Sequence, residues 1–226
     1  MVIETMSTWE QLFRSVLIGP GVFVDRRRVV LTWLIAVGLG GGCYGAVMGS
    51  FGGVSGDRGW QILFSAVKVP LLLVATTFLA TPSFFVLNTL CGLRDDFGQA
   101  FRAVLSTQAT VAIILASLAP YTLLWYVSTK DYHEASLFNV VTFAIASFAA
   151  QRQLRYRYRL LESHTPRHRL MRRVWVVMYA FVGIQMGWFL RPFIGDPSQS
   201  PTFLRNGPWG NAYVVVWESI VRVLQR

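Results

Sequence analysis

Residues 61–90 read QILFSAVKVPLLLVATTFLATPSFFVLNTL, and this stretch decides the class of fold. Its 30 residues include a single charged side chain, that of Lys68. A bilayer core about 30 Å thick needs roughly 20 mostly apolar residues in a spanning helix. We therefore predict a transmembrane helix longer than the bilayer, which Pro70 and Pro82 should tilt, kink or break.

Four further apolar segments flank this stretch. The whole chain is 54% hydrophobic and 14% charged, which argues against a soluble domain. We predict an all-α integral membrane protein with five transmembrane helices, at about 29–49, 61–90, 103–127, 132–150 and 174–190. The fourth segment is short and contains Asn139, so whether it fully crosses the membrane is left open.

The two ends of the chain have a different pattern from the spans. Residues 9–17 carry one apolar stripe at helical spacing, and residues 213–224 carry another. Such helices lie in the headgroup plane or pack against the protein's own helices. The predicted organisation is a cytoplasmic amphipathic helix at 1–24, a five-helix transmembrane domain at 25–192, and an outer tail with an interfacial helix at 193–226.

Basic residues are distributed unequally between the predicted loops. In the orientation with the N-terminus in the cytoplasm and the C-terminus outside, 14 basic residues lie inside and 6 outside. This asymmetry agrees with the positive-inside rule and, for a bacterial chain, predicts the inner membrane. The inner clusters are expected to contact anionic lipid headgroups or a partner protein rather than nucleic acid; they comprise Arg26, Arg27, Arg28, Arg152, Arg155, Arg157 and Arg159.

Small residues recur at spacings of four in two of the predicted spans. Gly41, Gly45 and Gly49 share a face of the first, and Gly183 and Gly187 share a face of the fifth. Small faces allow helix backbones to approach closely in lipid. We predict helix packing at both, within the chain or with another subunit.

Polar residues inside the spans are few. Lys68 is the only basic one well inside a span, and an intramembrane charge suggests function unless the side chain reaches the interface. Asn88, Gln108, Asn139 and Gln185 are uncharged and more often join helices, while Arg191 follows the fifth span. Because no Asp or Glu lies in a span core, a structural role is favoured over transport.

Catalytic and cofactor signatures are missing from the sequence. No nucleophile elbow, metalloprotease helix or P-loop occurs. His164 and His168 could suggest a metal, but Pro166 separates them and nearby arginines would repel a cation. We therefore expect a non-enzyme without cofactor or metal.

The layout resembles the Yip family of five-span membrane proteins, particularly bacterial members of unknown role. The similarity rests on residues 68–70, Pro82, Asn88 and the charged loop at 92–101, and covers about residues 15–190. The family's eukaryotic Asp-Leu-Tyr-Gly-Pro motif is absent, and only Gly19-Pro20 stands in a comparable place. The resemblance implies a non-enzymatic protein that acts through partners.

Two functional hypotheses follow. The first is a non-catalytic subunit that scaffolds, anchors or stabilises a larger membrane assembly. The second is a transporter or channel component with a polar path near Lys68, Gln108, Gln185 and Arg191. A solvent-accessible cavity around Lys68 would favour transport, whereas Lys68 sealed between packed helices would favour the scaffold.

Overall fold

The structure, a computed structural model, describes residues 26–54, 56, 58–195 and 200–204. Over these ranges the chain is helical and contains no strand. The interfacial helices predicted at 1–24 and 213–224 lie outside the described residues. The helices are α1 (Arg26–Gly49), α2 (Arg58–Leu90), α3 (Phe97–Ser128), α4 (Tyr132–His164) and α5 (Arg167–Phe189).

Four of these helices are long and apolar enough to cross a membrane. They are Val30–Gly49 within α1, and α2, α3 and α4 over their full lengths. The all-helical prediction and four of its apolar spans are thereby confirmed as helices of suitable length and composition. The Arg-rich segment after residue 150 continues α4 to His164.

The prolines within the apolar helices do not end them. Helix α2 runs unbroken through Pro70 and Pro82, and α3 through Pro120. Near Pro82 the hydroxyls of Thr77 and Thr81 donate to carbonyls one turn earlier, at 2.8 and 2.6 Å. In an apolar medium such internal bonds satisfy hydroxyl groups that water would otherwise hydrate.

The five helices alternate in direction between two ends of the bundle. The end of the bundle where α1 ends and α2 begins is called the upper end. The end where α2 ends and α3 begins is called the lower end. Helix α1 packs against both α2 and α3, α4 packs against α3, and α5 packs against α2. One apolar core, around Tyr44 and Leu115, fills the space between α1, α2, α3 and α4. A second, around Phe84 and Trp175, joins α2, α3, α4 and α5 toward the lower end.

Glycines bring α1 and α2 into unusually close contact. A Cβ atom at Gly45 would overlap the carbonyl oxygen of Ser65, and one at Gly49 would lie 2.7 Å from the carbonyl oxygen of Gln61. At Gly41 the added atom would lie 3.3 Å from the Pro70 ring. The glycine face of α1 is therefore occupied by α2 of the same chain.

We expect Gly45→Ala to lower the free energy of unfolding by about 1–3 kcal/mol, because the methyl group must push α1 away from α2. Gly38→Ala is the matched control: Gly38 is exposed on the same helix and an added Cβ meets nothing within 4 Å. There the better helix propensity of alanine should leave stability unchanged or raise it by up to about 1 kcal/mol. Unfolding of the purified protein in mild detergent would measure both, and equal effects would contradict the close packing at Gly45.

Candidate functional site

The upper half of α2 carries a row of polar side chains on one face. Arg58, Gln61, Ser65 and Lys68 follow one another at spacings of three and four, so they line up along the helix. Gln61, Ser65 and Lys68 are almost completely buried. We call these four residues the α2 polar row.

The α2 polar row binds the chain that follows α5, which we call the return segment, residues 191–195. The Lys68 ammonium donates to the Pro192 carbonyl at 2.5 Å, and the Gln61 amide donates to the Phe193 carbonyl at 3.1 Å. Ser65 Oγ also donates to the Phe193 carbonyl. Arg58 donates to the Gly195 carbonyl at 3.1 Å. Carbonyls that no helix or strand satisfies are thus hydrogen-bonded by side chains of α2.

Lys68 is enclosed by these contacts. Its exposed fraction is 0%, and the Phe203 ring lies 5.1 Å from the ammonium nitrogen. An ammonium over an aromatic face gains electrostatic stabilisation beyond its hydrogen bond. The sequence prediction singled out Lys68 but missed Arg58, Gln61 and Ser65, although their spacing on one face was a readable signal.

Asn139 connects three helices. Its Oδ1 accepts from the Tyr44 hydroxyl of α1 at 2.8 Å, and its amide donates to the Tyr126 hydroxyl of α3 at 2.5 Å. The amide also donates to the Ala135 carbonyl at 2.7 Å. Hydrogen bonds between helices therefore explain why the apolar helix α4 contains Asn139, and a contact with a substrate is not needed to explain it.

The other polar residues nominated from the spans lie apart from one another. Asn88 donates to the Phe84 carbonyl one turn away at 2.8 Å, and Gln108 is buried within α3. Gln185 is half-buried on α5. The Arg191 guanidinium stacks over the Trp188 ring at 3.3 Å.

A cavity of about 1170 Å³ opens beside the return segment. Its walls come from α2, from the first turns of α4 and from the last turns of α5, with Met48 of α1 behind them. Arg191 lines this cavity, whereas Lys68, Gln108 and Gln185 are not among the described lining residues. The four residues nominated for a polar path therefore do not meet in it.

The glycines of α5 belong to this cavity. Gly183 and Gly187 both line it. A Cβ atom at Gly187 would meet nothing within 4 Å, and one at Gly183 would only touch the Thr76 methyl group at 3.6 Å. The two predicted small faces thus have different surroundings, because the α1 face touches a helix and the α5 face borders open space.

Basic residues form an exposed face on the lower half of α4, which we call the Arg face. Arg152, Arg155 and Arg159 are exposed, while Arg157 is half-buried. The opposite side of the same turns, with Leu154, Tyr158 and Leu161, packs into the lower core. Arg26, Arg27 and Arg28 form the first turn of α1, and their side chains lie outside the described part of the structure.

Polar contacts fix the connections at the lower end. His168 Nε2 lies 2.9 Å from Asp96 Oδ2, and Arg167 donates to the Cys91 carbonyl at 3.3 Å. Arg172 donates to Glu162 across the α4–α5 turn at 2.8 Å. The first turns of α5 are thereby held against both the α2–α3 loop and α4. These contacts position the Arg face of α4.

No family model, curated protein or solved structure matches this chain. The resemblance to the Yip family therefore stays a prediction from the residues quoted above. The geometry of the α2 polar row, the cavity and the Arg face has to carry any functional conclusion.

We expect Lys68→Met to loosen the return segment, since it removes the donor to the Pro192 carbonyl. Hydrogen bonds to charged groups contribute about 1.5–3 kcal/mol, so transient opening should increase about tenfold or more. Ile194 is 4% exposed, and Ile194→Cys can report this opening by maleimide labelling after Cys43 and Cys91 are replaced by Ser.

The matched control for this measurement is Lys130→Met in the same labelling background, because Lys130 is exposed in the loop between α3 and α4. It should leave the labelling rate of the cysteine at position 194 unchanged. Equal rates in the Lys68 variant, the Lys130 variant and their parent would show that Lys68 does not hold the return segment.

Proposed function

We propose that this protein is a non-catalytic integral membrane subunit that scaffolds, anchors or stabilises a larger membrane assembly. In this proposal five helices span the membrane, with the N-terminus in the cytoplasm and the C-terminus outside, in a bacterial inner membrane. The observation that carries the proposal is the burial of Lys68 against the return segment. Lys68, the one basic residue well inside a predicted span, binds the protein's own backbone, as a structural role requires.

The extent of α5 supports five spans. Its first residues contact the α2–α3 loop at the lower end through Arg167, and the return segment that follows it binds Arg58 at the upper end. The 23 residues of α5 cover about 34 Å at 1.5 Å per residue, enough for a bilayer core. Because α5 runs between the same two ends as the four apolar helices, we propose that it crosses the membrane with them.

The Arg face of α4 supports contact with another component at the lower end. Its three exposed guanidinium groups lie on one side of a helix whose other side is buried in the lower core. Guanidinium groups form paired hydrogen bonds with carboxylates and phosphates. A partner with an acidic surface and anionic headgroups both fit this face, and in the proposal the protein partner gives the specificity.

Transport is the second candidate, and one observation favours it. Arg191 lines the cavity at the upper end, together with Gln61, Asn139 and other polar groups. Against a path stands the placement of Lys68 and Gln108, which are buried and are not among the described residues that line the cavity. The scaffold proposal therefore has the better support.

Gentle detergent extraction at native expression, followed by sizing and identification of copurifying proteins, tests the subunit proposal. We expect a stoichiometric particle much larger than the 25.5 kDa chain. Replacing Arg152, Arg155 and Arg159 by Gln should weaken the assembly about tenfold or more, because charged pairs at an interface lose their partners.

The control for that variant removes three arginines elsewhere at the same end. Arg94, Arg102 and Arg173 are also exposed, so their replacement by Gln makes the same change in net charge. This control should keep the assembly intact. A lone monomer or small homo-oligomer from the wild-type chain would overturn the proposal.

The proposed orientation predicts opposite labelling of the two ends in intact cells. With Cys43 and Cys91 replaced by Ser, Lys130→Cys at the upper end should react with a membrane-impermeant maleimide. Ser163→Cys at the lower end should react only after permeabilisation, and Ser200→Cys should react like Lys130→Cys if α5 crosses. All three positions are exposed in the protein itself. The reverse pattern at positions 130 and 163 would overturn the orientation, and protection at position 200 would argue against the fifth span.

A further inference from the structure

Exposed arginines mark one level in the lower half of the bundle. The Phe84 ring of α2 contacts the Trp175 ring of α5, and the two ring centroids are 4.9 Å apart. Arg173 is exposed two residues before Trp175, about 3 Å lower along α5. Leu154 of α4 belongs to the same lower core, and Arg152 is exposed two residues before it, about 3 Å higher. Arg152 and Arg173 therefore both lie near the level of Phe84.

The first turn of α1 lies near this level, beside α2. Helices α1 and α2 run antiparallel and in contact, and Gly41 lies opposite Pro70. Arg26 comes 15 residues before Gly41, so it lies roughly level with residue 85 of α2. Arginines of a spanning bundle cluster where its helices leave the membrane. The two main neighbours of α2, which are α1 and α5, thus place the lower headgroup region near Phe84.

Helix α2 continues below this level and ends in an exposed apolar surface. Residues 85–90 extend the helix by about 9 Å below Phe84. Phe85, Val86 and Leu90 in this part of α2 are 40%, 53% and 77% exposed. We call these three residues the α2 end patch. An apolar surface at or below the headgroups gains free energy when a protein segment covers it.

The chain that precedes α1 contains an apolar stripe within reach of the α2 end patch. Residues 1–25 connect directly to the first turn of α1, which lies beside this part of α2. Residues 18–25 separate the stripe from Arg26 and span at most about 29 Å. This length exceeds the 9 Å or so by which α2 extends below that turn. The stripe consists of five apolar residues at helical spacing, namely Trp9, Leu12, Phe13, Val16 and Leu17.

Charge favours the protein over the bilayer as the surface for this stripe. Residues 1–25 contain three acidic side chains and one basic side chain, which are Glu4, Glu10, Asp25 and Arg14. Helices that lie on anionic bilayer surfaces are instead rich in Lys and Arg on their polar face. At the lower end of the bundle, residues 151–173 contain eight arginines and one glutamate. Arg167 in this stretch contacts the Cys91 carbonyl, directly after the α2 end patch. An acidic segment is therefore attracted to this end of the protein.

We propose that residues 9–17 form a helix that folds back on the lower end of α2 and covers the α2 end patch with its apolar stripe. The patch is then an intramolecular docking surface, and its occupant is this chain's own N-terminal segment. Burial of the two apolar surfaces against each other drives the docking, and the basic lower end attracts the acidic segment. The docking depends on the bundle crossing a membrane, but not on the proposed subunit function.

The first test measures how well the α2 end patch is covered in the full chain. Val86→Cys is introduced after Cys43 and Cys91 are replaced by Ser, and the protein is placed in nanodiscs of phosphatidylcholine and phosphatidylglycerol. A membrane-impermeant maleimide should label this cysteine slowly. Adding Phe13→Glu should raise the labelling rate about tenfold or more, because a carboxylate in the stripe cannot be buried against the patch.

The matched control is Gln11→Glu, which adds the same charge on the face opposite the stripe. It should leave the labelling of the cysteine at position 86 slow. Thermal unfolding checks that each variant is folded.

The second test needs no charged substitution and detects the docked segment directly. In the same background, Val86→Cys is combined in turn with Trp9→Cys, Phe13→Cys or Val16→Cys, and the protein is oxidised. At least one pair should form a disulfide within the chain, which requires Cα atoms within about 7 Å. Leu160→Cys is the control partner for the same three positions, because Leu160 is 66% exposed at the lower end but lies on α4. These control pairs should form little disulfide.

Three results would overturn the proposal. Fast labelling at position 86 with the native N-terminal segment would show that nothing covers the patch. Slow labelling in the folded Phe13→Glu variant, together with no disulfide within the chain, would show that acyl chains cover it. Disulfides that form only between two chains would show that a second copy supplies the cover.

Discussion

The close approach of α1 and α2 is the constraint on which the rest of the structure depends. Gly45 and Gly49 lie directly against the backbone at Ser65 and Gln61. This contact fixes the position of the upper half of α2 along α1 and its rotation about its own axis. In lipid there is no hydrophobic drive between apolar helices, and close backbone contact supplies dispersion energy instead. With α2 held in this position, the α2 polar row binds the chain that follows α5.

That placement explains how an irregular segment can lie inside an apolar bundle. The carbonyls of residues 192, 193 and 195 have no helical partners, and a lipid environment offers them no water. Side chains of the α2 polar row donate hydrogen bonds to these carbonyls. Lys68 is thus explained as part of the fold, and a substrate path is not needed to account for it.

The return segment also determines where the bundle is open. It fixes the end of α5 against α2, while the lower end of α5 is held by contacts at His168 and Arg172. Helix α4 packs instead on α3 and meets α5 closely only toward the lower end. The gap between α4 and α5 at the upper end follows from these two attachments, and Gly183 and Gly187 keep it unfilled.

Hydropathy and length alone determined the helical class, because each apolar segment must satisfy its own backbone hydrogen bonds to cross a membrane. The same local signals predicted close packing at Gly41, Gly45 and Gly49, but could not tell whether the partner was α2 or another subunit. Helical periodicity records which residues share a face, and it carries no information on which helix meets that face. Only the tertiary structure decided that Gly187 borders a cavity while Gly45 touches a backbone, and that Lys68 meets the Pro192 carbonyl 124 residues away. Such distant pairings depend on the packing of all five helices together, because no single segment determines the position of its neighbours.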